Sequence, residues 1–161
     1  MPLSTEDQKH LTATQGYVEL GMWLDANAEL EEIDPEVRHF PEVLVVRVKI
    51  YRALEKWELL QVVAKRLALY EPDSVEWTAD LAESARHVES LDAAKRILLD
   101  AVQRHSDIPV FHFMLACVNC KLGEFDAAKR GVQRAIEIDP RYRGVTLEHE
   151  DLEPLWGWLA H

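Results

Sequence analysis

The pentapeptide Asp92-Ala93-Ala94-Lys95-Arg96 recurs unchanged 34 residues later as Asp126-Ala127-Ala128-Lys129-Arg130. A period in this range is the mark of stacked repeats, in which each unit is too small to bury its own apolar face and must lend it to a neighbour. Extending the same shift divides the chain into units 7–40, 41–74, 75–108 and 109–142 without insertion, about 85% of its 161 residues. The aligned columns describe packing. Ala26, Leu60, Ala94 and Ala128 form one; Ile33, Leu67, Ala101 and Ala135 form a second; Trp23, Trp57, Leu91 and Phe125 form a bulky third. Each unit therefore reads as two amphipathic helices. Small residues at the helix contact let the backbones approach, and the bulky residue fills the gap at the turn.

Gly21 and Gly123 fall at the helix-to-helix corner, where a positive φ is wanted, and Glu55 and Glu89 replace them in the middle units. Pro72 and Pro140 end the second helices of their units. In the first unit Asp34-Pro35 arrives three residues early. Its second helix is expected to lose a turn, leaving the link 36–40 irregular.

The fourth unit, reading LACVNCKLGEFDAAKRGVQRAIEIDP from Leu115, resembles a tetratricopeptide repeat, with Leu115, Ala116, Gly123, Phe125, Ala128, Ala135 and Pro140 carrying the match. Arg47, Val48 and Ser106 depart from that pattern, standing where Leu, a small residue and Pro are expected. The resemblance implies an all-α, right-handed α-solenoid of four antiparallel helix pairs, residues 1–142. The segment 143–161, with LEHEDLEPLWGWLA, resembles the cap that follows bacterial arrays of this kind. A terminal repeat exposes an apolar face, and a cap with a polar outer side keeps the array soluble. Asp151 is expected to cap a short helix from Leu152, with Leu152, Leu155, Trp156 and Leu159 covering the last repeat and Trp158 off that stripe.

The resemblance also implies a concave surface lined by the first helices of each pair, suited to a protein or peptide segment. The lining would begin with Leu11, Gln15, Val18, Glu19, Glu42, Val45, Lys49 and Arg52. It would continue through Glu76, Asp80, Glu83, Arg86 and His87 to Val110, Phe113, Met114, Cys117 and Lys121. Lys49, Arg52, Arg86, His87 and Lys121 would make a basic seam, and Phe113 with Met114 an apolar pocket. On that reading an acidic ligand weakens when Arg52 and Arg86 become Glu. The plainer alternative is a solvated face, with Glu83 pairing Arg86 and His87 at i+3 and i+4. The Lys/Asn/Arg set by which some members of this family hold a C-terminal carboxylate is absent, because Leu11, Gln15, Val46, Glu76 and Asp80 stand there.

Other chemistry finds little support. Cys117-Val118-Asn119-Cys120 has metal or redox spacing, but it falls in mid-helix with no second cysteine pair, so an incidental role is the expectation. The histidines lack HExxH spacing, and there is no GxGxxG, GxxxxGK[ST] or GxSxG segment. No catalytic residue, metal or cofactor is expected, and the chain reads as a non-enzyme. The acidic run Asp25, Glu29, Glu31, Glu32 and Asp34 reads as a solvated face. A formal net charge of −11 with no basic run disfavours nucleic acid. No apolar run approaches the roughly 20 residues of a bilayer helix, and the polar start lacks a secretory pattern. A cytoplasmic protein-interaction scaffold is the expectation, with self-association through the terminal repeats or the tail as the alternative.

Overall fold

The computed structural model describes residues 2–161, and its regular elements are helical throughout. The α-helices are α1 (Thr5–Glu19), α2 (Trp23–Leu30), α3 (Pro41–Ala53), α4 (Trp57–Tyr70), α5 (Val75–Val88), α6 (Leu91–Arg104), α7 (Pro109–Lys121), α8 (Phe125–Ile138), α9 (Tyr142–Glu148) and α10 (Glu153–Leu159). Short 3-10 turns cover Pro35–Val37 and Glu150–Leu152. Local chemistry sets the starts. The Ser4 hydroxyl accepts from the Asp7 N–H, Ser90 does the same for Ala93, and Pro41 and Pro109 open their helices where a missing N–H costs nothing.

Three of the four corners take the positive φ that the spacing predicts; the third corner, at Glu89, turns without one. Gly21 and Gly123 have φ of 69° and 80°, and Glu55 takes 54° at the equivalent place. A side chain there strains the backbone, and the corner is held by the Glu55 N–H donating to the Arg52 carbonyl and the Lys56 N–H donating to the Tyr51 carbonyl. The shortened α2 and the 3-10 turn after Asp34 follow from the early proline. Asp7 fixes that irregular link by accepting the Asp34 N–H at 2.9 Å.

The chain divides into two compact units, one up to Asp80 and one from Leu81. In the first, Leu11 of α1, Ala26 and Leu30 of α2, Ile33, and Val43, Val46 and Ile50 of α3 form a closed core. Arg47, the departure from the repeat pattern, sends one Nη to Glu31 and to the Tyr51 hydroxyl, both at 2.8 Å. It ties α3 to the end of α2. In the second unit, Phe113, Ala116, Cys117 and Cys120 of α7 meet Ala128, Val132 and Ala135 of α8 and Leu152, Leu155 and Leu159 of the tail. Both small columns are fully enclosed, from Ala26 to Ala128 and from Ile33 to Ala135. The bulky column is not: Trp23, Trp57 and Leu91 are half-buried and Phe125 is 44% exposed, because the corner is open to solvent on one side.

Candidate functional site

The unit up to Asp80 carries a groove of about 410 Å³ between α1 and α3, lined by Gln15, Val18, Glu19, Glu42, Val45, Val46 and Lys49. Leu11, expected among the lining, is instead core at 2% exposure. The groove has an aliphatic floor of Val18, Val45 and Val46 under a polar rim that is acidic at Glu19 and Glu42 and basic at Lys49.

Arg52 lies farther along α3 and does not present a free cation. Its Nε and Nη2 fork onto the two oxygens of Asp80 at 2.7 and 2.6 Å, and Nη2 also reaches Glu76 at 2.9 Å. Asp80 is buried, so this fork is the ion pair that lets a carboxylate sit inside the unit. The hydrogen bond that Arg52 donates to Asp80, opposed by burial, raises the Arg52 pKa further. The seam foreseen from the spacing is therefore engaged at this end within the chain.

In the unit from Leu81 the tail takes the lining. The turn Glu150–Leu152 packs on α7, the Phe113 and His149 rings meet edge to face at 5.4 Å, and Cys117 Sγ lies 3.9 Å from His149 Nδ1. Asp151 is gripped by Arg86 Nη1 at 2.6 Å and Lys121 Nζ at 3.4 Å. Arg86 thus turns to Asp151 rather than to Glu83, while His87 does pair with Glu83 at 3.1 Å. Asp151 does not cap α10; it sits inside the 3-10 turn, whose first N–H groups include its own, donated to His149 Nδ1 at 3.3 Å. The tail leucines cover α7 and α8 as expected. Trp158, expected off that stripe, is the tryptophan that packs on this core, with Lys129 over its ring at 5.7 Å, whereas Trp156 donates its ring N–H to the Thr146 carbonyl at 2.8 Å. Phe113 and Cys117 are consequently buried, and Met114 is half-buried.

The electrostatics follow from this closure. Burial, with the Asp151 charge added, pushes the Cys117 thiol up to about 12, so it stays protonated near neutrality. Cys120 is raised for the same reasons. Burial works against the Asp151 carboxylate, but the Arg86 hydrogen bond and charge, helped by His149 and Lys121, hold it below the ordinary carboxylate range. The spacing of Cys117 and Cys120 is visible in the sequence, whereas the meeting of Cys117 with His149 and Asp151 depends on where a 19-residue tail folds. No helix among the described residues is long and apolar enough to cross a membrane.

No protein-family model matches the chain, and no curated protein matches it either. Solved structures do. A MamA structure is 17% identical with a TM-score of 0.71, covering 96% of this chain and 86% of that one. MamA AMB-1 is 18% identical at 0.69, covering 96% and 90%. The thermophilic TPR protein TTC0263 of Thermus thermophilus is 21% identical at 0.67, covering 95% and 82%. With the 34-residue period and the stacked helix pairs, these likenesses establish that the chain has the tetratricopeptide-repeat fold.

Proposed function

We propose that the protein is a non-catalytic interaction module that holds an extended peptide segment in the α1/α3 groove. The observation that carries this reading is the contrast between the two linings. Val18, Val45 and Val46 floor an accessible groove, whereas Phe113 and Cys117 lie under the chain's own tail. A preformed groove orders little of itself on binding, so the conformational cost falls mainly on the ligand. The rim carboxylates Glu19 and Glu42, on a chain of net charge −11, favour a segment with an aliphatic anchor flanked by Lys or Arg. The engagement of Arg52 with Asp80 and Glu76 removes the reason to expect an acidic ligand.

Selection of peptides from a random displayed library tests this. Enriched peptides carry a basic residue beside an aliphatic one. Val45→Glu weakens them about tenfold or more by placing a charge in the aliphatic floor. Glu42→Lys costs about three- to fivefold and loses its effect at high salt. Enrichment of acidic peptides, or peptides indifferent to both variants, contradicts the reading. A second reading, contact between copies, is favoured by a different observation: Leu59, Val62 and Leu69 form an exposed stripe on α4, with Val62 66% and Leu69 81% accessible. A molar mass by light scattering that rises with concentration, and falls back in Val62→Glu, supports it.

A further inference from the structure

The tail brings to the Cys-x-x-Cys pair of α7 what that pair lacked in the sequence. Cys117 Sγ, the Nδ1 of His149 and a carboxylate oxygen of Asp151 all lie within 4.8 Å of one another, with 3.9 Å between sulfur and nitrogen and 4.0 Å between nitrogen and oxygen. Donor atoms sharing a tetrahedral zinc ion stand about 3.3–3.8 Å apart, given bonds of about 2.0–2.3 Å. Contraction by at most about 1.5 Å would close the set around an ion. We propose that Cys117, His149 and Asp151, with Cys120 one helical turn along the same face as fourth donor, form a binding site for a thiophilic divalent cation, zinc first among them.

Two further observations support the assignment. The long 3.3 Å hydrogen bond that His149 Nδ1 accepts from the Asp151 N–H is the contact an ion at that nitrogen would replace. The charges balance: two thiolates and one carboxylate exceed a divalent cation by one negative charge, and Arg86 and Lys121, already on Asp151, offset it. The sulfur side is enclosed, with both cysteines buried in the core that α7 shares with the tail and Phe113 against the His149 ring, while the His149 side chain, 40% exposed, is the open edge. An apolar lining on the sulfur side limits the access of water to the thiolates. Loading releases the two thiol protons to solvent as the two Cys–metal bonds form. Arg86 of α5 and Lys121 of α7 hold Asp151, and with it the tail.

Addition of Co²⁺ to the reduced, chelator-treated full chain is the test. One equivalent is taken up, with a thiolate-to-cobalt charge-transfer band in the near ultraviolet and visible bands of tetrahedral cobalt, and both are lost when Zn²⁺ is added. Cys117→Ser and His149→Ala abolish the signal, and Cys120→Ser weakens the charge-transfer band, each with an unchanged far-ultraviolet dichroism spectrum. Absence of stoichiometric uptake by the unmodified protein overturns the proposal whatever the variants do. So does cobalt binding that survives both Cys117→Ser and His149→Ala. Peptide binding in the α1/α3 groove plays no part in either outcome.

Discussion

Removing the Arg86 side chain measures how firmly the tail closes over α7. Arg86 and Asp151 are 19% and 11% exposed at their side chains and 2.6 Å apart, a pair largely withdrawn from water. Breaking a buried pair by deleting one partner costs about 3–5 kcal/mol, because a charge is left desolvated. Here Lys121 remains 3.4 Å from the same carboxylate, though it is half exposed, so Arg86→Ala is expected to cost about 2 kcal/mol. For a chain of this length that corresponds to a fall of roughly 4–8 °C in Tm. The sign of the pH dependence is also set. The folded pKa of Asp151 lies below its unfolded value, so its contribution is present above the ordinary carboxylate pKa and lost as pH falls through the folded value. The difference between Arg86→Ala and the unmodified protein should therefore shrink on acidification below about pH 4. Thermal melts, with hydrogen exchange at residues 142–161 as the local reporter, provide the assay. A Tm within about 1 °C of the unmodified protein, with unchanged protection of the tail, refutes the argument.

Other perturbations probe the rest of the frame. Arg52→Ala withdraws the fork from buried Asp80 and is expected to destabilise by about 2 kcal/mol, read by urea unfolding, with Asp80→Asn in the same background costing little more. Glu55→Gly relieves a side chain at φ 54° and should stabilise by about 0.5–1 kcal/mol, whereas Gly123→Ala at φ 80° should destabilise by about 1 kcal/mol. His10 is raised by its hydrogen bond to Glu29 at 2.7 Å, with the charges of Glu29, Glu6 and Glu32 adding to it. A raised folded pKa gives stability that is full below the unfolded value near 6.5 and lost as pH rises through the folded one. Melts between pH 6 and 8 should show that decline, and His10→Asn should flatten it.

The repeat made most of the fold legible. Columns such as Ala26 to Ala128 encode a contact that recurs every 34 residues, and the early Asp34-Pro35 shortened α2 for the local reason that a proline cannot donate within a helix. Side-chain partnerships were less accessible. Lining positions followed from register, yet whether Arg52 faces solvent or Asp80 depends on the approach of α3 to α5, which no periodicity reports. The tail was the largest gap. Its leucines announced a cap through their spacing, but the turn that carries His149 and Asp151 onto α7 follows from tertiary packing, and with it went the expectation that Phe113 and Cys117 would be open to a ligand.

The measurement that tests the central claim most directly is a hydrogen-exchange footprint of a library-selected peptide on the full chain. The account predicts slowed exchange in the last turns of α1, around Gln15 to Glu19, and along α3 from Glu42 to Lys49, with α7 and the tail unchanged. Protection confined to α7, or loosening of residues 149–161 on binding, would show instead that the ligand displaces the tail and that the α1/α3 groove is not the site.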